Sequence, residues 1–391
     1  MAQRQFRTDD TSLWTDRYGN GSDGVYTPST STDAPIDSAC TGTEDTTSLS
    51  ATNASFATGQ LIFIHRTQGG TVGSWEFNRI ASYSAGTITT AYNLTNTYTT
   101  NAQVVVFKQY STANINTEVT VIGKAWNGST GGIYGFFCLG TTTLEGAISA
   151  TGIGFRGGRY GDGGGNAFQG EGTGGAGVEN NGAANGNGAG GGHDHSTGGA
   201  AGCGGGGGGH YATGTKGSGG ASCPGGGTDG GDGGSSVGNA ALTLINLGGG
   251  SGGGGRGDYD NQNGKSGVAG GGIVVIVSKI ITVGSGSIQT SGLTGTDGYF
   301  SGAASGGGAG GSILFKGQTI TLGSNISALQ GNGGAQGGGG HWGGAGGAGS
   351  VGRIHVDYST LLSGGTTPTL DSSTDPIFLD LPNAQSYSFL M

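Results

Sequence analysis

Charge is what this sequence has least of. Only 10% of its 391 residues are Asp, Glu, Lys or Arg, and 24 acids against 15 bases leave a net charge of −9. That balance repels a phosphate backbone and argues against nucleic acid as a partner. Long apolar runs are missing as well. A membrane helix needs about 18 apolar residues in a row. The longest β-like run here, Ile273–Val283, is interrupted by Ser278-Lys279, so membrane insertion is not expected. Four cysteines, Cys40, Cys138, Cys203 and Cys223, are too few for a disulfide scaffold of this length. The stretch Met1-Ala2-Gln3-Arg4-Gln5-Phe6-Arg7 carries positive charge with no apolar core behind it, and does not read as a secretory signal.

Catalytic machinery is also hard to find. A hydrolase needs a nucleophile with its base, or paired carboxylates, on a rigid frame. Here the acids are scattered, and five of the six histidines lie in or beside glycine-rich stretches. The expectation is a protein that is not an enzyme and uses no cofactor.

What the chain has in abundance is glycine, 97 residues, far above the usual share of about 7%. Residues 1–58 are polar and turn-rich, with Gly19-Asn20-Gly21 and Asp23-Gly24, and read as an attachment or capping segment. Residues 59–123 carry dense strand signals: Leu61-Ile62-Phe63-Ile64, Thr87-Ile88-Thr89-Thr90, Val104-Val105-Val106-Phe107 and Val119-Thr120-Val121-Ile122. Their close spacing predicts a small β-barrel or sandwich.

Residues 124–358 are organised by a repeat. Gly131-Gly132-Ile133 to Thr151-Gly152, Gly271-Gly272-Ile273 to Ser291-Gly292, and Gly310-Gly311-Ser312 to Gln330-Gly331 share one plan of strands at matching offsets. A partial fourth copy starts at Gly349-Ser350-Val351 and runs to Tyr358, and residues 359–391 read as a C-terminal tail. Strands recurring at matching offsets predict a repeat-built β core, solenoid or sandwich-like, because one unit alone buries too little. Glycine tracts interrupt the repeats at 157–272, 293–309 and 331–350, the first with 51 glycines in 116 positions. Composition alone would make them disordered linkers, yet they start and stop against repeat strands. Ordering a glycine costs about 0.5–1 kcal/mol more than ordering alanine, so an ordered tract needs collective bonding. Three-residue-per-turn helices, packed side by side where no Cβ intervenes, supply it. Collagen is excluded, since Gly204–Gly209 is unbroken glycine without a Gly-X-Y period. The expected fold is all-β with packed polyglycine II helices and essentially no α-helix.

Two stretches are familiar. Gly59-Gln60-Leu61-Ile62-Phe63-Ile64-His65, Trp75-Glu76-Phe77-Asn78-Arg79 and Tyr98-Thr99-Thr100-Asn101-Ala102-Gln103-Val104 look like a module found ahead of glycine-rich regions in large surface proteins. So do Ala125-Trp126-Asn127-Gly128 and Gly152-Ile153-Gly154-Phe155-Arg156-Gly157-Gly158. The tracts that follow resemble the glycine-rich tips of phage long-tail-fibre adhesins, in which packed polyglycine helices carry variable recognition loops. The resemblance covers residues 59–358; this chain differs in dividing its glycine into blocks separated by β repeats. It implies a virion surface or tail-fibre protein, which would need no export signal. The implied partners are a host cell-surface receptor (glycan or outer-surface protein) and other virion or filament subunits. It also implies a homo-oligomer, with a trimer as the fibre-like form. The alternatives are a structural subunit of an extracellular filament or virion decoration, and a tail-associated polysaccharide depolymerase.

Aromatics punctuate the glycine tracts, and ring faces beside polar groups suit sugars and protein surfaces alike. Trp342, His341, Tyr211, Tyr160, Tyr259 and Phe300 are the receptor-contact candidates; the competing reading makes them plugs over helix ends. His193, His195, Cys203, His210 and Cys223 cluster in sequence as zinc ligands would, but at spacings of no common zinc motif. A Cys203–Cys223 disulfide or plain polar loop residues are the competing readings.

Overall fold

The structure, a computed structural model, describes residues 17–29, 33–161, 166–179, 182–193, 201–220, 230–258, 261–337 and 342–375. No α-helix occurs among them, and the fold is all-β.

A two-residue strand, β1 (Val25–Tyr26), precedes β2 (Asp37–Gly42), β3 (Ser48–Ala51), β4 (Leu61–Arg66), β5 (Trp75–Ser84), β6 (Thr87–Thr90) and β7 (Tyr98–Tyr110). Strands β2 to β7 pair antiparallel in the order β2-β3-β6-β5-β4-β7, and β7 returns to β2. The result is a closed barrel without a free edge. Ile62, Ile64, Leu49, Ile80, Ile88 and Val104 fill its interior. The alternate residues of β4, Leu61 and Phe63, point outward and join a second buried cluster with Trp75, Phe77 and Phe107. Burial on both faces explains why β4 reads as a continuous apolar run and does not alternate.

The second unit is a stack of two-strand rungs. The first rung is β8 (Thr112–Ile115) with β9 (Thr120–Ile122), and the second is β10 (Ile133–Leu144) with β11 (Ala147–Ser149). Then come β12 (Ile273–Val283) with β13 (Ser287–Gln289), and β14 (Ser312–Thr321) with β15 (Ile326–Ser327). The last are β16 (Arg353–Ser363) with β17 (Thr366–Thr367), followed by β18 (Asp371–Thr374). The first strands of successive rungs pair in parallel with one another, and so do the second strands, giving two parallel sheets. Equivalent residues lie directly over one another: Phe136, Ile276, Phe315 and Val356 on one sheet, Ile148, Ile288 and Ile326 on the other. These ladders form the core between the sheets.

The repeat register matches the sequence plan at Ile133, Ile273 and Ser312. In the fourth copy Ser312 pairs with Arg353 and not with Val351, two residues later, which keeps the same face inward. The domain boundaries differ from those expected. Residues 37–51 supply two barrel staves and so are not a separate capping segment. Residues 112–122 belong to the stack, and 359–374 finish its last rungs. Strands β2 and β18 escaped the sequence reading because their mixed and fully exposed faces leave no apolar alternation.

The glycine tracts connect successive rungs, and their hydrogen bonds have a three-residue period. In 204–209, Gly204 and Gly207 donate to Ser218 and Thr215, Gly205 and Gly208 to Ala304 and Gly307, and Gly206 and Gly209 to Gly190 and Asn187. The same six carbonyls accept from Gly231 and Gly234, from Gly347 and Ser350, and from Gly252 and Gly249. Three neighbours receive and three give, so one helix sits inside a ring of six, the packing of polyglycine II. Segment 249–255 repeats this through Gly209, Gly206 and Cys203 on one side and Glu171 and Phe168 on another. None of Gly204–Gly209 has a positive φ. Glycine is required there for room: a Cβ on Gly207 would strike the Ala348 carbonyl.

Candidate functional site

Register gives the bundle two ends. Phe155 donates to Gly248 and Gly154 to Gly270 beside the strands, while Gly255 donates to Cys203 and Gly161 to Gly254 at the far end. Spanning the seven residues from 203 to 209 takes about 20 Å in such a helix. The near end is locked to the barrel. His65 lies buried with Nε2 2.9 Å from the Ile245 carbonyl and Nδ1 2.9 Å from Thr67 Oγ1. Burial pushes its pKa down to about 4 against the bond to Ile245, so at neutral pH the ring is uncharged, donating from Nε2 and accepting from the Thr67 hydroxyl at Nδ1. Trp75 Nε1 donates to Leu242 O at 2.9 Å, Gly69 N to Thr173 O at 3.0 Å, and Gln68 Nε2 to Glu171 Oε1 at 3.2 Å. Barrel, rungs and glycine bundle are one body.

The far end carries exposed aromatics. Tyr299 and Phe300 pack edge to face with centroids 4.4 Å apart. Their neighbour Trp342 is brought in by a 2.9 Å bond from Gly343 N to Phe300 O. All three side chains stand in solvent, 55%, 44% and 48% exposed. Tyr160 is at the same end, half-buried, with the Arg159 guanidinium 5.7 Å from its ring and 5.9 Å from that of Phe168.

Tyr211 is not with them. It sits at the strand end, where Tyr211 N bonds Val351 O and Arg353 stacks 4.8 Å from its ring. His341 and Tyr259 lie outside the described residues, as do His195 and Cys223.

The zinc candidates among the described residues, His193, Cys203 and His210, do not assemble. His193 and Cys203 are joined at the far end through a backbone bond, but Cys203 is disulfide-bonded and offers no thiolate. Cys40 and Cys138 are free thiols. His210 is at the opposite end, buried, with Nε2 3.1 Å from Asn246 O and 3.0 Å from Ser312 Oγ. Burial pushes its pKa down to about 4, with Arg353 adding to the fall against the bond to Asn246. No group of three metal-ligating side chains occurs among the described residues.

One polar cluster escaped the sequence reading. On the outer face of the last rungs, His355 lies between Asp357 (Nε2–Oδ1 2.9 Å) and Asp371 (Nδ1–Oδ2 2.8 Å), with Lys316 and Ser373 also on Asp357. Burial raises the Asp357 pKa, but the bonds from His355, Lys316 and Ser373 and the Lys316 charge outweigh it and hold the carboxyl well below its usual range. His355 and Asp357 alternate on one strand face, a signal visible in sequence only once the register is known. No family model matches the chain, and no curated protein or solved structure is found to match it.

Proposed function

We propose that this protein is a non-enzymatic surface adhesin of a virion or fibre, which presents loops on a rigid glycine lattice to a receptor on a host cell. One observation supports this reading above the others. The exposed aromatics Tyr299 and Phe300 stand together on a hairpin end at the far side of the bundle, and exposed Trp342 adjoins them through the Gly343–Phe300 backbone bond. A fold that only needed to cover helix ends would bury such rings. The test is binding of fluorescently labelled full-length chain to a panel of Gram-negative and Gram-positive cells. Replacing 298–302 and 342 by glycine should abolish the binding. Absence of binding to any cell, or binding indifferent to these replacements, overturns the reading.

A second reading, the filament subunit, draws on the end of the stack. Strands β17 and β18 pair on one side only among the described residues. Concentration-dependent fibres without cell binding would favour it.

A further inference from the structure

The Phe300 hairpin contains a conflict between conformation and residue choice. Tyr299 N bonds Gly302 O at 3.1 Å and Gly302 N bonds Tyr299 O at 3.0 Å, closing a two-residue loop of Phe300 and Ser301. Its first residue, Phe300, has φ 49°, a left-handed conformation that strains any residue with a Cβ. The bundle contains a second hairpin of the same kind. Asn185 and Gly188 exchange bonds of 2.8 and 2.9 Å around Gly186 and Asn187, and there the first loop residue, at φ 60°, is glycine. In a chain with 97 glycines, this turn, whose first position favours one, has phenylalanine instead. That ring is 44% exposed, so burial does not explain its presence.

Resting on the adhesin reading, we propose that Tyr299, Phe300 and Trp342 form an aromatic platform for a neutral hexopyranose of a host-surface glycan. A pyranose offers a C–H face that stacks on rings and hydroxyls that need hydrogen-bonding neighbours. The neighbouring hairpin supplies amides: a Cβ on Gly302 would meet the Asn263 and Gln262 carbonyls, and Asn261 and Asn263 are exposed. Three rings are too small an area for a protein partner, which takes about 800 Å² and 20–30 residues on each side. Acidic sugars are disfavoured by exposed Asp297 beside Tyr299 and by the net charge of −9.

Trp342 reports on its own platform, since Trp75 and Trp126 are buried. A Trp14→Phe background removes the remaining indole. In that background the full chain is titrated with maltohexaose, cellohexaose, β-galactohexaose and chitohexaose while tryptophan emission is followed. At least one should give a saturable shift, absent in Trp342→Phe. Phe300→Gly should weaken that binding at least tenfold with a melting temperature unchanged or raised. A Phe300→Gly variant that binds poorly and melts lower would make the ring structural and overturn the proposal. So would cell binding that survives periodate treatment of the cells and competition by all four sugars, an outcome that leaves the adhesin reading standing. No binding to sugars or cells removes both.

Discussion

His65 of the barrel and His210 of the glycine bundle hold adjacent carbonyls of one loop, Ile245 at 2.9 Å and Asn246 at 3.1 Å. Both rings are buried, and burial is the first cause that lowers each pKa from 6.5 to about 4. The clamp joins three units through two neutral imidazoles.

Acid should therefore loosen the molecule as the two imidazoles are driven to take protons. With the folded pKa below the unfolded one, the unfolded chain binds more protons as pH falls from 6.5 towards 4. Stability is fully present above pH 6.5 and declines across that window. By pH 5 the loss should be about 2 kcal/mol per histidine. Urea unfolding between pH 8 and 4 checks this, and the fall should flatten in His65→Gln.

Gly207→Ala should be costly, because its Cβ meets the backbone of Ala348 and has nowhere to go. A loss of about 1–3 kcal/mol or more is expected. Gly365→Ala, with open space around the position and no positive φ, should be neutral or gain about 0.4–1 kcal/mol. Amides of 204–209 should exchange as slowly as those of β12; fast exchange there would mean the lattice does not form.

Asp357→Ala should remove about 3–5 kcal/mol, since it takes away the carboxylate that pairs with the buried Lys316 ammonium. Replacing both, Lys316→Met with Asp357→Leu, should come much closer to wild type. The depressed Asp357 pKa contributes stability above the unfolded value of about 3.9, lost as pH falls below it. Chemical denaturation of the single and double variants at pH 7 separates these terms.

Phe63 packs its ring 5.2–5.3 Å from Trp75, Phe77 and Phe107 on the outside of the barrel. Phe63→Ala should cost about 3–5 kcal/mol. Because that cluster also includes Phe137, Val275 and Leu314 of the stack, calorimetry should show one transition shifted down, not an early barrel melt.

Much of the architecture could be read from the residues. The glycine pairs ahead of Ile133 and Ile273 set the register, and the β-branched strands set the core. The fourth copy slipped because Ser350 and Val351 look like a strand start, while pairing begins at Arg353. Site residues were legible as types but not as places. Tyr211 and Trp342 are alike in sequence, each an aromatic directly after a histidine at a glycine tract, yet they stand at opposite ends of the bundle. Only the three-residue register, counted through many hydrogen bonds, separates them. The left-handed turn at Phe300 left no trace in sequence, since turn chemistry there predicts glycine.

A lattice of bare backbone has no side chains to tell one turn from the next. A helix could slide along its neighbours by one turn, about 9 Å, and remake the same bonds. Side-chain bonds prevent this. Asn187 ties Leu247 O and Thr173 N through its amide, and His210 ties Asn246. They act as stop pins, and removing Asn187 should yield molecules whose helices are locked one notch out of step.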